Sequence, residues 1–210
     1  MYNYVKDATV KPFRNFCSDK MNQVKQFLKT DFDLDSTFYL IGSGAKNLVT
    51  QNENNPFDLD YNIEINNLRM NAENAKKVKN AIMNFLNEIM ENTPFSDSQD
   101  STSVITSSWK NDNGIKFSFD ICVLAKNSIG NYCRMKHDKY QNRYYWEEVP
   151  NSTEVYKKME LLKKNKWWQE VRETYLNKKN MYLKRNDYNH PSFVIFVETI
   201  NEVYYMACHR

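Results

Sequence analysis

Two segments of the chain alternate apolar and polar residues, which is the period of a strand with one buried face. Residues 57–65 read FDLDYNIEI, so the apolar residues share one face while Asp58 and Asp60 lie on the other. Residues 116–124 read KFSFDICVL and place Asp120 on the polar face of a second strand. The pattern therefore predicts two half-buried strands, each carrying acidic residues on its polar face.

Other segments place apolar residues three and four positions apart, as in an amphipathic helix. The clearest is NAENAKKVKNAIMNFLNEIME, whose apolar stripe includes Val78, Ile82 and Leu86. The chain holds only 4 Gly and 5 Pro, which favours long helices over a many-turned β-sandwich. We predict helices over residues 15–30, 71–91, 152–164, 167–183 and 192–206, and shorter strands over residues 37–41, 104–108 and 143–149.

The order of these elements predicts two parts, an α/β core over residues 1–125 and a mainly helical region over residues 126–210. The 210 residues, of which 41% are hydrophobic, suffice for a compact core. The net charge of +3 permits a polyanionic partner without requiring one. The four cysteines are widely spaced, without the CxxC pairs of a zinc site. With neither a signal-peptide pattern nor a membrane-spanning run, we expect a cytoplasmic protein without a membrane partner.

Three pieces of the sequence carry candidate chemistry: a Gly-Ser pair after the strand at 37–41, the Asp-x-Asp pair, and the later Asp120. Each alone is ordinary, since Gly-Ser is commonly a turn and acidic residues commonly solvate a strand. The combination is not ordinary, because carboxylates gathered in one place repel one another. Two unit charges ~4 Å apart cost about 4 kcal/mol at an effective dielectric near 20. A fold that gathers these carboxylates needs a cation, and oxygen ligands favour Mg²⁺ or Mn²⁺.

The run FYLIGSGAKNLVTQNENNPFDLDYNIEI, followed by FSFDICVL, resembles the DNA polymerase β-type nucleotidyltransferase superfamily. The resemblance covers residues 37–124. Its long spacer between Ser43 and Asp58 is most similar to the cyclic-dinucleotide synthase and oligoadenylate synthase branches. It implies an α+β fold, in which a nucleotidyltransferase-type mixed sheet is flanked by helices and a C-terminal helical region completes the cleft.

The resemblance also implies roles for six residues. Three carboxylates would bind Mg²⁺ or Mn²⁺, and Asp120 would also help to activate the acceptor hydroxyl. Lys46 could instead be a solvated helix residue, and Gly44 departs from the pattern in a way expected to loosen the turn. The implied catalytic and metal-binding residues are Asp58, Asp60 and Asp120, and the implied nucleotide-binding residues are Gly42, Ser43 and Lys46.

The implied activity is metal-dependent transfer of a nucleoside monophosphate from a nucleotide triphosphate to an acceptor hydroxyl. RNA is one candidate acceptor, because Lys163, Lys164 and Lys166 lie beside two tryptophans that could stack on bases. Those lysines could equally form a solvated helix face. The alternative function is a non-catalytic nucleotide- or nucleic-acid-binding protein of the same fold, with a regulatory or defence role.

Overall fold

The computed structural model describes residues 1–111, 114–187 and 189–209. Contacts divide the chain into two compact units. The first, here called the sheet unit, comprises Val5–Val49 and Asn54–Val149. The second, the helical unit, comprises Met1–Tyr4, Thr50–Glu53 and the chain from Pro150 onward.

Nine strands and six helices lie within the described ranges. The strands are β1 Tyr2–Tyr4, β2 Ser36–Leu40, β3 Thr50–Asn52, β4 Phe57–Ile65, β5 Gln99–Asp100, β6 Ile105–Asn111, β7 Gly114–Lys126, β8 Tyr132–Asp138 and β9 Arg143–Glu148. The helices are α1 Asp7–Phe32, α2 Gly42–Lys46, α3 Ala72–Met90, α4 Thr153–Lys164, α5 Trp168–Lys184 and α6 Ser192–Cys208.

The sheet unit is built on a seven-stranded mixed sheet. Five strands follow the order β2-β4-β7-β6-β5, and β8 joins the far end of β7 and pairs in turn with β9. Only β4 and β7 run parallel, while the other paired strands of this sheet are antiparallel. The predicted α+β fold with a mixed sheet is confirmed, and the predicted strand over residues 57–65 has the bounds of β4.

The apolar face of this sheet forms one core with helices α1 and α3. In α3 the stripe residues Val78, Ile82 and Leu86 are buried, while Phe85 and Ile89 are half-buried against the same core. Asn71 caps the helix by accepting a hydrogen bond from the Asn74 amide at 2.7 Å. On the sheet, side chains of β4 and β7 that alternate with the aspartates are fully buried. The central members of this core are Met21, Val24, Leu28, Leu59, Tyr61, Ile63, Val78, Ile82, Leu86, Phe119 and Ile121.

The helical unit contains α4, α5 and α6 together with the two-stranded sheet of β1 and β3. The Tyr2 amide donates to Asn180 Oδ1 at 2.7 Å, and the Tyr4 hydroxyl donates to the Arg172 carbonyl at 2.6 Å. These bonds attach β1 to α5. The three predicted C-terminal helices are confirmed. Over the described ranges no helix is long and apolar enough to cross a lipid bilayer.

Two elements differ from the sequence-based expectations. Helix α1 begins at Asp7 rather than at residue 15, because Pro12 is accommodated within the helix despite its missing N–H. Strand β8 was not predicted. Its buried residues Cys133 and Met135 alternate with charged residues, and this pattern makes sense as a strand only once the pairing with β9 is known. Both β8 and β9 follow residue 125 in the chain, and both belong to the sheet of the sheet unit.

Candidate functional site

Three aspartates lie on one face at the centre of the sheet. Asp58 and Asp60 are two residues apart on β4, so their side chains point the same way. In the parallel pairing of β4 with β7, Asp60 is the register partner of Asp120, and Asp58 is the partner of Ser118. Neighbouring strands are about 4.8 Å apart, so Asp60 and Asp120 stand side by side.

The environment of the three carboxylates differs from one to the next. Asp58 is exposed, whereas Asp60 and Asp120 are half-buried. The residues directly before Asp60 and Asp120 point to the opposite face of the sheet. They are Leu59 and Phe119, and both are fully buried. The strands that carry this acidic face are therefore held by the core packed against their other face.

The carboxylates disturb one another electrostatically. Burial, followed by the charges of Asp58 and Asp120, raises the pKa of Asp60 to about 6, while the charge of Lys46 opposes the rise. Burial also raises the pKa of Asp120, against a hydrogen bond from Thr106 that lowers it. In the metal-free protein, ionisation of these two half-buried acids therefore costs more free energy than ionisation of an exposed aspartate.

A sharp turn brings the Gly-Ser pair against Asp60. The Ile41 amide donates to the Asp60 carbonyl at 2.8 Å, and Gly42 follows with a left-handed φ of 59°. A Cβ at position 42 would lie 2.1 Å from Asp60 Oδ2, so only glycine fits both the backbone angle and the approach. Ser43, half-buried, comes next in the five-residue helix α2.

Lys46 lies at the other end of α2 and folds back over the turn. Its Nζ donates to the Gly42 carbonyl at 2.9 Å, and the side chain is buried. Its charge also lowers the pKa of Asp60. The interpretation of Lys46 as a solvated helix residue is therefore wrong. The structure places its ammonium in the electrostatic surroundings of the acidic cluster.

Gly44 does not loosen the turn, contrary to expectation. It is buried within α2, and a Cβ there would lie 2.7 Å from Leu59 Cδ2 and 3.0 Å from Leu40 Cδ1. The glycine instead lets α2 approach the side chains of β2 and β4 closely. This approach holds the Gly42 turn beside Asp60.

The donor set suits a hard divalent cation. Carboxylate oxygens are the ligands that Mg²⁺ and Mn²⁺ prefer, and a cation would offset the burial and the neighbouring charges that raise the pKa of Asp60. Among the residues that the structure describes, no three His, Cys, Asp or Glu side chains are already gathered closely enough to hold a metal ion. The chemistry and the electrostatics of the site fit such an ion.

Two residues near the site escaped the sequence reasoning. Thr106 on β6 is the register partner of Asp120, and its hydroxyl donates to Asp120 Oδ1 at 2.6 Å. A threonine in a strand carries no signal of this role, because threonine is a common strand former. Lys79 is fully buried on α3 and contacts Asp100. Its signal was present, since position 79 lies on the apolar stripe between Ala75 and Ile82.

The fold is similar to solved nucleotide-bound proteins. One is CdnC of E. coli MS115-1 with ATP, with a TM-score of 0.58 and 16% identity over 96% of this chain and 62% of that chain. Another is Vibrio cholerae DncV in its GTP-bound form, with a TM-score of 0.56 and 13% identity over 81% of this chain and 45% of that chain.

DncV was also solved as a cyclic AMP-GMP synthase with the linear intermediate 5′ pppA(3′,5′)pG, at a TM-score of 0.55 and 10% identity over 81% of this chain and 47% of that chain. Neither a protein family nor a curated protein sequence matches the chain. The chain spans 62% of the CdnC chain and under half of the DncV chain. At these identities the likeness shows the fold, a mixed sheet flanked by helices and followed by a helical region.

Proposed function

We propose that this protein transfers a nucleoside monophosphate from a nucleotide triphosphate to an acceptor hydroxyl. The observation that carries the proposal is the acidic row on β4 and β7 beside the Gly42 turn. Asp58, Asp60 and Asp120 share one face of the sheet, and burial together with the charges of Asp58 and Asp120 raises the pKa of Asp60, a perturbation of the kind that clusters at functional sites. The likeness to ATP- and GTP-bound structures supports a nucleotide as the ligand.

In this proposal the three aspartates hold divalent cations and the turn holds the triphosphate. Mg²⁺ bound there would lower the pKa of the acceptor hydroxyl and neutralise the leaving pyrophosphate. Gly42 and Ser43 would lie against the triphosphate, and Lys46 would add a positive charge beside it. The site would act by positioning and charge stabilisation, without a covalent intermediate on the protein.

The bond changes are those of a single displacement. The acceptor oxygen attacks the α-phosphorus, the bond between the α-phosphorus and its bridging oxygen breaks, and pyrophosphate leaves with that electron pair. The proton of the acceptor hydroxyl would pass to Asp120, the half-buried carboxylate beside Asp60.

The test is incubation of the protein with α-labelled nucleotide triphosphates and Mg²⁺, with and without added RNA, followed by separation of the products. We expect pyrophosphate release and a new labelled product in Mg²⁺, and neither in EDTA. Asp58→Asn and Asp60→Asn should abolish both. Asp33→Asn is the matched control, because Asp33 is an exposed residue with a left-handed backbone that asparagine adopts readily.

The products separate the possible acceptors and the alternative function. Label in a short oligonucleotide formed from triphosphates alone would indicate a nucleotide hydroxyl, and label on added RNA would indicate an RNA end. Calorimetry with and without EDTA tests the metal independently, because we expect triphosphate binding to weaken without it. Tight binding with no turnover in any mixture would favour the non-catalytic binding protein instead.

A further inference from the structure

A threonine on the strand beside Asp120 holds that carboxylate by a short hydrogen bond. Thr106 Oγ1 lies 2.6 Å from Asp120 Oδ1, and the two residues are register partners in the pairing of β6 with β7. An ionised carboxylate can only accept, so the Thr106 hydroxyl donates its single proton to Asp120. Such charge-assisted bonds are shorter and stronger than bonds between neutral groups.

The surroundings of Thr106 are fixed in turn by the protein. Because its proton points to Asp120, its oxygen is left to accept, and the Ser101 hydroxyl lies 3.4 Å away. That distance is long for a hydroxyl pair, so Ser101 gives weaker support. The Ser101 backbone is held firmly, since its amide donates to the Val104 carbonyl at 3.0 Å and its carbonyl accepts from buried Lys79 Nζ at 2.7 Å.

We propose that Thr106 is a positioning residue that orients Asp120 toward the metal and the acceptor hydroxyl. This inference rests on the proposed function, because only nucleotidyl transfer gives Asp120 that task. With Oδ1 held by Thr106, Oδ2 accepts no hydrogen bond from the part of the chain that the structure describes. Oδ2 is therefore the oxygen presented to a cation or to the proton of an acceptor. Without the Thr106 hydroxyl, the carboxylate can rotate and present either oxygen.

Three substitutions isolate the hydroxyl. Thr106→Val keeps the branched shape and the strand preference of the side chain and removes the donor. Thr106→Ser keeps the donor and removes the methyl group. Thr199→Val makes the same chemical change at a buried threonine of α6, whose hydroxyl donates to the Ile195 carbonyl at 2.7 Å, and serves as the matched control.

We expect Thr106→Val to lower kcat by about 10- to 100-fold, the usual effect of removing a hydrogen-bond partner of a metal-binding side chain. The KM for the triphosphate should stay within about twofold, because the Gly42 turn is untouched. Thr106→Ser should recover most of the lost kcat. Calorimetric titration of Mn²⁺ into the nucleotide-free protein should show a similar loss of Mn²⁺ affinity in Thr106→Val and no such loss in Thr199→Val.

Either of two results would overturn the inference. The first is a kcat and an Mn²⁺ affinity of Thr106→Val equal to those of the wild type. The second is a loss of kcat and Mn²⁺ affinity in Thr106→Ser as large as that in Thr106→Val. If Thr106→Val does not fold, Thr106→Ala and Thr106→Ser are compared in its place, and equal behaviour of these two has the same meaning. A wild type that transfers no nucleotide refutes the proposed function alone. The Mn²⁺ titration then decides the positioning role, and equal affinity of variant and wild type, including no binding by either, overturns it.

Discussion

Replacing Asp60 with asparagine removes one charge from the acidic row while nearly preserving the shape of the side chain. In the folded protein burial, followed by the charges of Asp58 and Asp120, raises the pKa of Asp60 from 3.8 to about 6. The folded protein therefore holds a proton at Asp60 more tightly than the unfolded chain does. Ionised Asp60 consequently destabilises the metal-free protein at neutral pH.

The size of this effect follows from the two pKa values. One pKa unit is worth about 1.4 kcal/mol, so a rise from 3.8 to about 6 corresponds to at most about 3 kcal/mol. Below pH 3.8 both states hold the proton and the effect vanishes. As the pH rises from 3.8 through 6, the unfolded chain releases its proton first, so the free energy of unfolding falls. Above pH 6 the loss is constant.

Asp60→Asn should therefore raise the free energy of unfolding of the metal-free protein by ~1–3 kcal/mol at pH 8 and by little at pH 4. Urea denaturation in EDTA at pH 4, 6 and 8 measures this directly. Asp33→Asn is the control. A hydrogen bond from Lys29 lowers the pKa of Asp33, so removing the Asp33 charge should not stabilise the folded protein. Mg²⁺ should stabilise the wild type more than Asp60→Asn, because a ligand stabilises the state that binds it.

A loss of several kcal/mol in Asp60→Asn at pH 8 would refute this reasoning. It would show that Asp60 is a structural partner, as in a buried ion pair from which one member has been removed. Lys46 is the candidate for such a pair, since its charge lowers the pKa of Asp60. A gain that does not depend on pH would also contradict the argument, because it would have a cause other than ionisation.

Three further predictions concern the turn, the core and the lysine row. Gly42→Ala should abolish triphosphate binding and cost more stability than Gly130→Ala, because both have a left-handed φ but only Gly42 approaches a carboxylate; equal effects in binding and urea assays would contradict this. Lys79→Met should lower the free energy of unfolding by about 3 kcal/mol, and Lys79→Met with Asp100→Asn by less, because the single change leaves a partly buried carboxylate without its cation. If RNA is the acceptor, replacing Lys163, Lys164 and Lys166 together by glutamine should weaken RNA binding and flatten its salt dependence, as measured by filter binding at two salt concentrations. Unchanged binding would mean that these lysines form a solvated face.

Strand periodicity predicted the part of the fold that carries the site. The alternation over residues 57–65 identified β4 and the shared direction of Asp58 and Asp60 without reference to any partner strand. What periodicity could not supply was the register, and with it the pairing of Asp60 with Asp120 and of Asp120 with Thr106. Pairing depends on contacts between segments far apart in sequence, which no local pattern encodes.

The features that the sequence did not predict also depend on contacts that a local pattern does not encode. Strand β8 alternates, but its polar residues are stabilised by cross-strand pairs: Arg134 and Lys136 both contact Glu147 on β9. Such pairs become visible only once the partner strand is known. The interpretation of Lys46 failed similarly, because its burial depends on the fold of α2 over the Gly42 turn.

Two kinds of half-buried carboxylate occur within the sheet unit, and they differ in how far the protein compensates their charge. Burial alone would raise the pKa of Asp100, but hydrogen bonds from Lys79 and Tyr144 hold it below its ordinary value. At Asp60 and Asp120 the balance is reversed, and burial with neighbouring acids raises the pKa values. Asp100 is already compensated by the protein, so it has little to gain from a ligand.

The acids of the site remain under-compensated. Lys46 only moderates the pKa of Asp60, and Thr106 engages one oxygen of Asp120. An ion pair as close as that of Lys79 with Asp100 would have stabilised the metal-free protein, but its ammonium would have to be displaced before a cation could bind. In the proposed function, a divalent ion bound there would offset the cost of burying these carboxylates and the repulsion among them. By this argument, the stability lost in the metal-free protein and the affinity for metal have the same origin, and Asp60→Asn should change both together.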